Sequence, residues 1–238
     1  IYKYILSKKN SGWSAGVNQA IRQCDTEYIL NLQADCLISN KDISILIESH
    51  RKYENCFLTS PTYYDEKFKL SYNGGCLPEK NSRMEVLNLE GDVCVESVIT
   101  AIVLFKKKDI LEIGLFDENL FLYFGDFDIA RRIITKTKKS IIQIFEAKAQ
   151  HIHGRVLKNQ NEIKRTFVIN YNFTFDQLYY FFKVNKHHEI YKKLKKKLPS
   201  YIIKSIINLF LLRFNQSVNY FSKVAGFYKF NNFLNKNK

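Results

Sequence analysis

The sequence has no apolar run long enough to cross a membrane. A membrane-spanning helix needs about 18 to 20 consecutive apolar residues, and the longest candidate, residues 201–214, is interrupted several times. The interrupting residues are Lys204, Ser205, Asn208 and Arg213. The first residues also lack the charged-then-apolar pattern of a secretion signal. The sequence therefore predicts neither a membrane span nor secretion.

Cysteine is scarce and widely spaced in this chain. Five cysteines occur in 238 residues, an odd number with no close pair. They are Cys24, Cys36, Cys56, Cys76 and Cys94. Disulfide frameworks and zinc knuckles both need paired cysteines, so the spacing indicates a reducing, cytoplasmic setting. Hydrophobic residues make up 46% of the chain, which is enough to build a folded core.

Acidic residues are nearly absent from the C-terminal part of the chain. Residues 151–238 contain 17 Lys and Arg but only 3 Asp and Glu, whereas residues 1–150 contain 20 of each sign. The whole net charge of +14 therefore lies in the C-terminal part. Such an asymmetry indicates an anionic partner, either nucleic acid or acidic lipid headgroups. The balanced first part is compatible with an enzyme acting on small molecules.

Strand patterns alternate with helical patterns over the first 150 residues, which predicts an α/β fold with a parallel sheet. The predicted strands are residues 2–6, 27–32, 56–59, 97–105 and 141–145, and the predicted helices are residues 14–24, 43–53, 108–113 and 126–134. From about residue 162 the pattern is helical and basic, and Pro199 is expected to break it. Ligands of open α/β sheets bind beyond the carboxyl ends of strands, where Asp35 is predicted to lie.

The first segment with chemical residues runs from Asn10 to Asn18 and includes Gly12 and Gly16, and the next strand ends on Asp35. Glycine lets the backbone approach a ligand closely. A carboxylate at a strand end can hold a hard divalent cation against phosphate oxygens. Taken alone, a tight turn followed by an Asp that caps a loop is the simpler interpretation.

The second segment has four acids among aromatic residues. They are Asp117, Glu118, Asp126 and Asp128. Burying charge is costly without partners, so this density is unusual for an ordinary buried turn. The alternative makes Asp126 a helix cap and Asp128 the partner of Arg131 or Arg132 on a solvated face.

The third segment places His151 and His153 directly after a predicted strand, followed by Gly154. Two histidines at this spacing are more often ordinary surface or core residues than metal ligands. Their position after the acidic segment favours a functional role.

Together these segments resemble the family 2 glycosyltransferases, particularly the bacterial rhamnosyltransferase-like branch. The resemblance runs from about Tyr4 to Gly154 and is most specific between Phe116 and Arg132. It implies a GT-A fold, a Rossmann-like α/β domain with a mainly parallel sheet flanked by helices, over residues 1–157. Residues 158–238 would then form a helical, basic extension.

The resemblance implies an inverting enzyme that moves a hexosyl or deoxyhexosyl group from a nucleotide-diphosphate sugar to a glycan or lipid-linked acceptor, in surface polysaccharide synthesis. Asp126 would be the catalytic base, and Asp35 and His151 would hold Mg²⁺ or Mn²⁺ on the donor diphosphate. The other implied donor-binding residues are Asn10, Gly12, Gly16 and Asn18. The implied pocket residues are Asp117, Glu118 and Asp128.

The chain departs from the family pattern at several positions. Gln33 stands where many members have an acid, Gly125 replaces the first acid of a Glu-Asp pair, and Val156 replaces a common Ser. The family's opening strand, first helix and Asp-x-x-Ser segment, which hold the nucleotide base, are expected to be missing ahead of Ile1, which would make the catalytic domain incomplete at its N-terminal side. A non-catalytic, degenerate transferase is therefore an alternative.

The C-terminal part combines an apolar helical face within residues 202–214 with a lysine run over residues 192–197. Such a helix suits the interface of an anionic membrane, which predicts a peripheral protein at the inner face of the plasma membrane. The alternative is a helix packed on the catalytic domain with a solvated lysine run. A nucleic-acid-binding module is a further alternative, but it leaves the acidic segment unexplained, so no nucleic-acid partner is predicted.

Overall fold

The computed structural model describes residues 4–71, 74–80, 90–152 and 161–237, and these form a mixed α/β structure. The strands are β1 (Tyr28–Leu32), β2 (Cys36–Ile38), β3 (Cys56–Tyr64), β4 (Val93–Val95), β5 (Ile102–Lys106) and β6 (Ser140–His151). The helices are α1 (Trp13–Gln23), α2 (Asn40–Lys52), α3 (Lys107–Glu112), α4 (Gly125–Lys136), α5 (Glu162–Lys183), α6 (His187–Phe210) and α7 (Phe214–Lys236).

Contacts divide the chain into two units, which we call the sheet unit and the helical unit. The sheet unit comprises residues 1–118 and 125–156, and the helical unit comprises residues 119–124 and 157–238. The division differs from a single cut after residue 157, because a six-residue segment ahead of α4 has its contacts with the C-terminal helices.

The six strands form one sheet in the order β1-β5-β3-β6-β2, with β4 paired to β6. Among these strands only β3 and β6 pair in parallel, and the other ladders are antiparallel. The sheet is thus mixed, and the expectation of a mainly parallel sheet does not hold for it. A parallel neighbour needs a long crossover, which the chain provides between β3 and β6, whereas β5 runs back between β1 and β3.

Helices cover both faces of the sheet. On one face, Ile21 of α1 and Ile129 and Ile133 of α4 pack in a core cluster with Phe57 and Phe105 of the central strands. On the other face, Leu46 of α2 packs with Cys56, Leu104, Ile142 and Ile144. Strand β3 is buried along nearly its whole length, as expected for a strand covered on both sides.

Most elements predicted for the sheet unit occur within a few residues of their predicted bounds. Helix α2 begins at Asn40, ahead of its predicted start at residue 43, and the Ser39 side chain caps it by accepting a hydrogen bond from the backbone N–H of Asp42. The predicted strand at residues 97–105 is wrong in its first half, since β5 begins only at Ile102. Residues 4–6 form no strand, and the rest of the predicted first strand lies outside the described residues.

The helical unit contains three long helices. Aromatic side chains join α5 to α7, with the ring of Phe175 lying 6.4 Å from that of Phe230, and the ring of Tyr191 in α6 lies 4.9 Å from that of Phe227. Pro199 lies inside α6, so the predicted break is wrong. Packing of α6 against α7 outweighs the loss of one backbone hydrogen bond. The real break comes at residues 211–213, where Leu212 has φ 55°.

The same break divides the predicted helix at residues 201–214 between α6 and α7. Across the described parts of the chain, no helix is both long and apolar enough to span a bilayer.

Asp176 of α5 is fully buried and anchors the segment that leads into α4. Its carboxylate accepts hydrogen bonds from the backbone N–H groups of Phe121, Leu122 and Tyr123, at 3.3, 2.9 and 2.9 Å. Burial raises the pKa of Asp176, and the three donors oppose that rise. The segment 119–124 therefore takes its conformation from the C-terminal helices.

Candidate functional site

Several segments meet at one edge of the sheet. Strands β1 and β3 end where the antiparallel strand β5 begins, and β6 ends at the same edge because it runs parallel to β3. The backbone N–H of Gln33, just after β1, donates to the carbonyl of Ala101, just before β5, at 2.9 Å. This edge therefore collects the chain around Asp35, the loop before β5 and the end of β6.

Asp35 and His151 lie together at this edge, as expected for two residues predicted to share a cation. Oδ1 of Asp35 is 3.7 Å from Nε2 of His151, and both side chains are largely shielded from solvent. The backbone adds a further link, because the N–H of Ile152 donates to the carbonyl of Asp35 at 2.8 Å. His153 and Gly154 lie outside the described residues.

Cys36 completes a group of three possible ligands, although no pattern in the sequence links it to Asp35 and His151 as a ligand. It pairs directly with His151 across the antiparallel ladder of β2 and β6. One donor atom each from Asp35, Cys36 and His151 can be chosen so that all lie within 4.8 Å of one another. A carboxylate oxygen, an imidazole nitrogen and a sulfur are all donors to divalent cations, so the group fits such an ion. Burial, reinforced by the charge of Asp35, raises the pKa of the Cys36 thiol to about 12.

Tyr63 contacts both the loop before β5 and the first residue of β5, and its hydroxyl oxygen lies 3.1 Å from the carbonyl oxygen of Ile99 in the loop. Its hydroxyl donates to the carbonyl of Ile102 at 2.7 Å and accepts from the N–H of Ile102 at 2.9 Å. Its ring centroid lies 6.2 Å from that of His151. Burial raises the pKa of Tyr63, so the phenol is neutral at physiological pH. Tyr63 thus links the strand that ends near His151 to the loop that carries Thr100.

Asp126 lies in the first turn of α4, half-buried, with its carboxylate on the loop before β5. Oδ1 accepts a hydrogen bond from the backbone N–H of Thr100 at 3.2 Å and a second one from the Thr100 hydroxyl. Burial raises the pKa of Asp126, and the two bonds from Thr100 oppose that rise. The raised pKa makes this carboxylate a better proton acceptor than an ordinary surface aspartate.

Gly125 stands directly before Asp126, where the family pattern has an acid. A Cβ built at Gly125 would lie 3.2 Å from the Trp13 ring and 3.4 Å from the Ser14 hydroxyl. Any side chain here would press on the start of α1. The close approach places the first turn of α1 beside the first turn of α4.

The candidate donor segment forms the turn into α1. Gly12 has φ 95°, which favours glycine, and its N–H donates to Oδ1 of Asn10 at 3.0 Å. A Cβ at Gly16 would meet nothing within 4 Å. The turn is therefore shaped by Asn10 and Gly12, while the surface over Gly16 is open.

Asn18 and Glu118 lie together, away from the group around His151 in sequence. The buried Asn18 amide donates to the carbonyl of Phe116 at 2.8 Å and to Glu118 at 2.9 Å, and its oxygen accepts from the N–H of Phe116. Glu118 also pairs with Arg22 at 3.3 Å. In this structure the two residues fasten the loop after α3 to α1.

Asp128 pairs with Arg132 one turn later in α4, with Oδ2 2.9 Å from Nε. Arg132 also donates to the carbonyls of Ile113 at 2.8 Å and Leu115 at 2.5 Å. The pairing is one that the sequence analysis considered, but Asp128 is buried and does not lie on a solvated face. The pair braces α4 against the turn after α3, and Asp117 is half-buried in the loop that follows.

Residues 1–108 match the model of the Glycosyl transferase family 2. The match covers the turn at Asn10 to Asn18, Asp35 and the loop that carries Thr100, and it ends before Asp126 and His151. None of the curated protein sequences matches the chain. Among solved structures, GalNAc-T7 with UDP, GalNAc and Mn²⁺ aligns with 62% of this chain and 31% of its own, at 12% identity and a TM-score of 0.49.

Proposed function

We propose that the chain is a family 2 glycosyltransferase with a GT-A type of catalytic domain over residues 1–157. It transfers a hexosyl or deoxyhexosyl group from a nucleotide-diphosphate sugar to a hydroxyl of a glycan or lipid-linked acceptor, in surface polysaccharide synthesis. The observation that carries the proposal is the meeting of Asp35, His151 and the Thr100–Asp126 pair at one edge of a sheet in a chain whose first 108 residues match the family.

Asp35 and His151 are the proposed ligands of a donor cation. Mg²⁺ or Mn²⁺, when bound, neutralises charge on the diphosphate and so makes it a better leaving group. The approach of 3.7 Å between the carboxylate and the imidazole supports this assignment. Asn10 and Gly12 are the proposed donor contacts in the turn before α1, and the open surface over Gly16 in α1 leaves room for the donor.

Asp126 is the proposed catalytic base. The acceptor hydroxyl oxygen forms a bond to the anomeric carbon as the bond to the diphosphate oxygen breaks, and Asp126 takes the hydroxyl proton. Attack from the face opposite the nucleotide inverts the anomeric configuration. The proposed residues of the donor and acceptor pocket belong to the same acidic segment and are Asp117, Glu118 and Asp128. Asp128 would act indirectly, through its ion pair with Arg132.

The decisive test is Asp126→Asn in the full-length enzyme. Turnover should fall at least about 100-fold, the usual scale of general-base catalysis, while donor binding measured by calorimetry changes little. Glu112→Gln, at an exposed position of α3, is the matched control and should keep normal turnover. Near-normal turnover in Asp126→Asn would remove the base from this position and favour Asp117 or Asp128.

The helical unit is the proposed membrane-docking part, at the cytoplasmic face of the plasma membrane. Large apolar side chains around the α6–α7 turn are exposed, with Phe210 82% and Leu212 74% accessible. The others are Ile202, Ile203, Ile206, Ile207, Leu209, Leu211 and Phe214. The lysine run lies earlier on the same helix α6. An apolar surface beside concentrated positive charge complements an anionic lipid surface better than a neutral partner.

Docking can be measured by co-sedimentation with neutral and anionic vesicles at low and high salt. The intact chain should sediment with anionic vesicles and be partly released by salt, because each lysine near the surface contributes about 1 kcal/mol that salt screens. The double change Lys192→Gln with Lys193→Gln should weaken the part of vesicle binding that salt releases. The double change Phe210→Ser with Leu212→Ser should weaken the part of vesicle binding that persists at high salt. Lys41→Gln with Lys108→Gln removes equal charge elsewhere and should change little.

An intact chain that stays in the supernatant with anionic vesicles at low salt would contradict docking. Salt-sensitive binding to an oligonucleotide in its place would favour the nucleic-acid alternative. Donor binding by the full-length enzyme without any turnover would favour a non-catalytic transferase.

A further inference from the structure

We propose that the Cys36 thiol is a third protein ligand at the donor cation site and makes that site prefer thiophilic cations such as Zn²⁺ over Mg²⁺. The inference rests on the proposed placement of the donor cation at Asp35 and His151. It adds a ligand that neither the family resemblance nor the acid-rich segments suggested.

The strand register brings Cys36 to the cation site. Cys36 and His151 are directly opposite on the antiparallel ladder of β2 and β6, so their side chains leave the same face of the sheet. Both are buried, whereas Leu37, the next residue of β2, is exposed. A shift of register by one residue would turn Cys36 away from His151, so the pairing fixes the thiol at this position.

The spacing of the donor atoms suits one small cation. Two ligands of a tetrahedral Zn²⁺, at about 2.0 to 2.3 Å from the ion, lie about 3.5 Å apart. The Asp35 oxygen and the His151 nitrogen are 3.7 Å apart, and the sulfur lies in a group whose members are within 4.8 Å of one another. Small rotations of the side chains would bring all three atoms onto one ion.

The chemistry of the donor atoms determines which cation binds more tightly when the thiol is a ligand. Mg²⁺ prefers oxygen ligands and gains little from sulfur, whereas Zn²⁺ and Co²⁺ bind sulfur and imidazole well. When such a cation binds, a sulfur–metal bond forms and the thiol proton leaves to solvent. Cys36 should therefore raise the affinity for thiophilic cations while leaving the affinity for Mg²⁺ nearly unchanged.

The test is a titration of the metal-free, full-length protein with Co²⁺, followed by absorption spectroscopy. A thiolate-to-cobalt charge-transfer band in the near ultraviolet should appear, and Zn²⁺ should remove it by competition at far lower concentration than Mg²⁺. Cys36→Ser, which keeps the size but replaces sulfur by oxygen, should lose this band and bind Zn²⁺ at least about 10-fold more weakly. Cys94→Ser, at an exposed cysteine of the same sheet, is the control and should keep both the charge-transfer band and the Zn²⁺ affinity.

The possible results distinguish a failure of the Cys36 proposal from a failure of the proposed cation site at Asp35 and His151. Co²⁺ binding without a thiolate band, or unchanged Zn²⁺ affinity in Cys36→Ser, would overturn the role of Cys36 and leave Asp35 and His151 in place. Loss of Co²⁺ binding in His151→Ala together with loss of the thiolate band supports a shared ion. A protein that binds no divalent cation, with or without a nucleoside diphosphate, would overturn both the thiol ligand and the proposed cation site.

Discussion

Each unit contains an aspartate whose pKa is raised by burial, and the difference between the two residues separates a structural acid from a candidate base. Asp176 of the helical unit accepts three backbone N–H groups and is fully buried. Asp126 of the sheet unit bonds to one loop residue, Thr100, and stays partly accessible. Burial raises the pKa of both. An acid that can still meet a substrate is the better candidate for proton transfer.

The sharpest way to break this comparison is to neutralise the structural acid. Asp176→Asn should lower the free energy of unfolding by about 2 to 4 kcal/mol, because an amide cannot satisfy the three donors that the carboxylate holds. Denaturant unfolding followed by circular dichroism measures the change. Glu189→Gln, exposed in α6, is the control and should stay within about 0.5 kcal/mol of wild type. A stable Asp176→Asn would mean that residues 121–123 find other partners.

A second comparison concerns a glycine in each unit. A Cβ at Gly226 of α7 would lie 2.4 Å from the carbonyl oxygen of Tyr171, so Gly226→Ala must push α7 away from α5. The expected cost is about 1 to 3 kcal/mol of unfolding free energy.

Gly16→Ala is the matched change in α1, where a Cβ meets nothing. It should stabilise the fold by up to about 1 kcal/mol through helix propensity, yet weaken donor binding if the donor lies over this turn. Thermal unfolding and donor calorimetry together separate the two effects. Equal stability changes in Gly226→Ala and Gly16→Ala would contradict the close helix contact.

The smallest expected effect concerns the pH dependence of turnover. A base must be deprotonated to act, so turnover should fall as pH drops through the raised pKa of Asp126. Thr100→Val removes the hydroxyl that favours the charged carboxylate, so the pKa should rise further and the acid limb should move to higher pH. A pH–turnover profile of both proteins measures the shift. An acid limb that moves to lower pH, or stays in place, would contradict the role of Thr100.

Most helices and strands of the sheet unit could be predicted from the sequence, because helix caps and the spacing of apolar residues are local patterns that extend over a few residues. The helices predicted at residues 43–53 and 108–113 correspond to α2 and α3 within a few residues. The approach of Asp35 to His151 was also predictable, because the sequence predicts a strand ahead of each residue, although His151 itself is the last residue of β6. The apolar residues 97–101 resembled a strand, but they form the loop that Tyr63 and Asn31 hold by hydrogen bonds.

The contacts that the sequence could not reveal join residues far apart in the chain. Tyr63 meets Ile102, and Cys36 meets His151, without any local pattern that marks the pair. Pro199 was expected to end a helix because propensity is a local property, whereas tertiary packing keeps α6 continuous. Only the strand register shows that β5 runs back between β1 and β3.

The helical unit is discontinuous along the chain, since the six residues 119–124 belong to it while the residues on both sides belong to the sheet unit. A fragment that ended near residue 157 would keep Phe121, Leu122 and Tyr123 but lose Asp176, their common acceptor. Three backbone donors just ahead of Asp126 would then be released. Residues 119–124 should therefore lose their conformation in such a fragment, so a cut at a single peptide bond near residue 157 does not separate the two units cleanly.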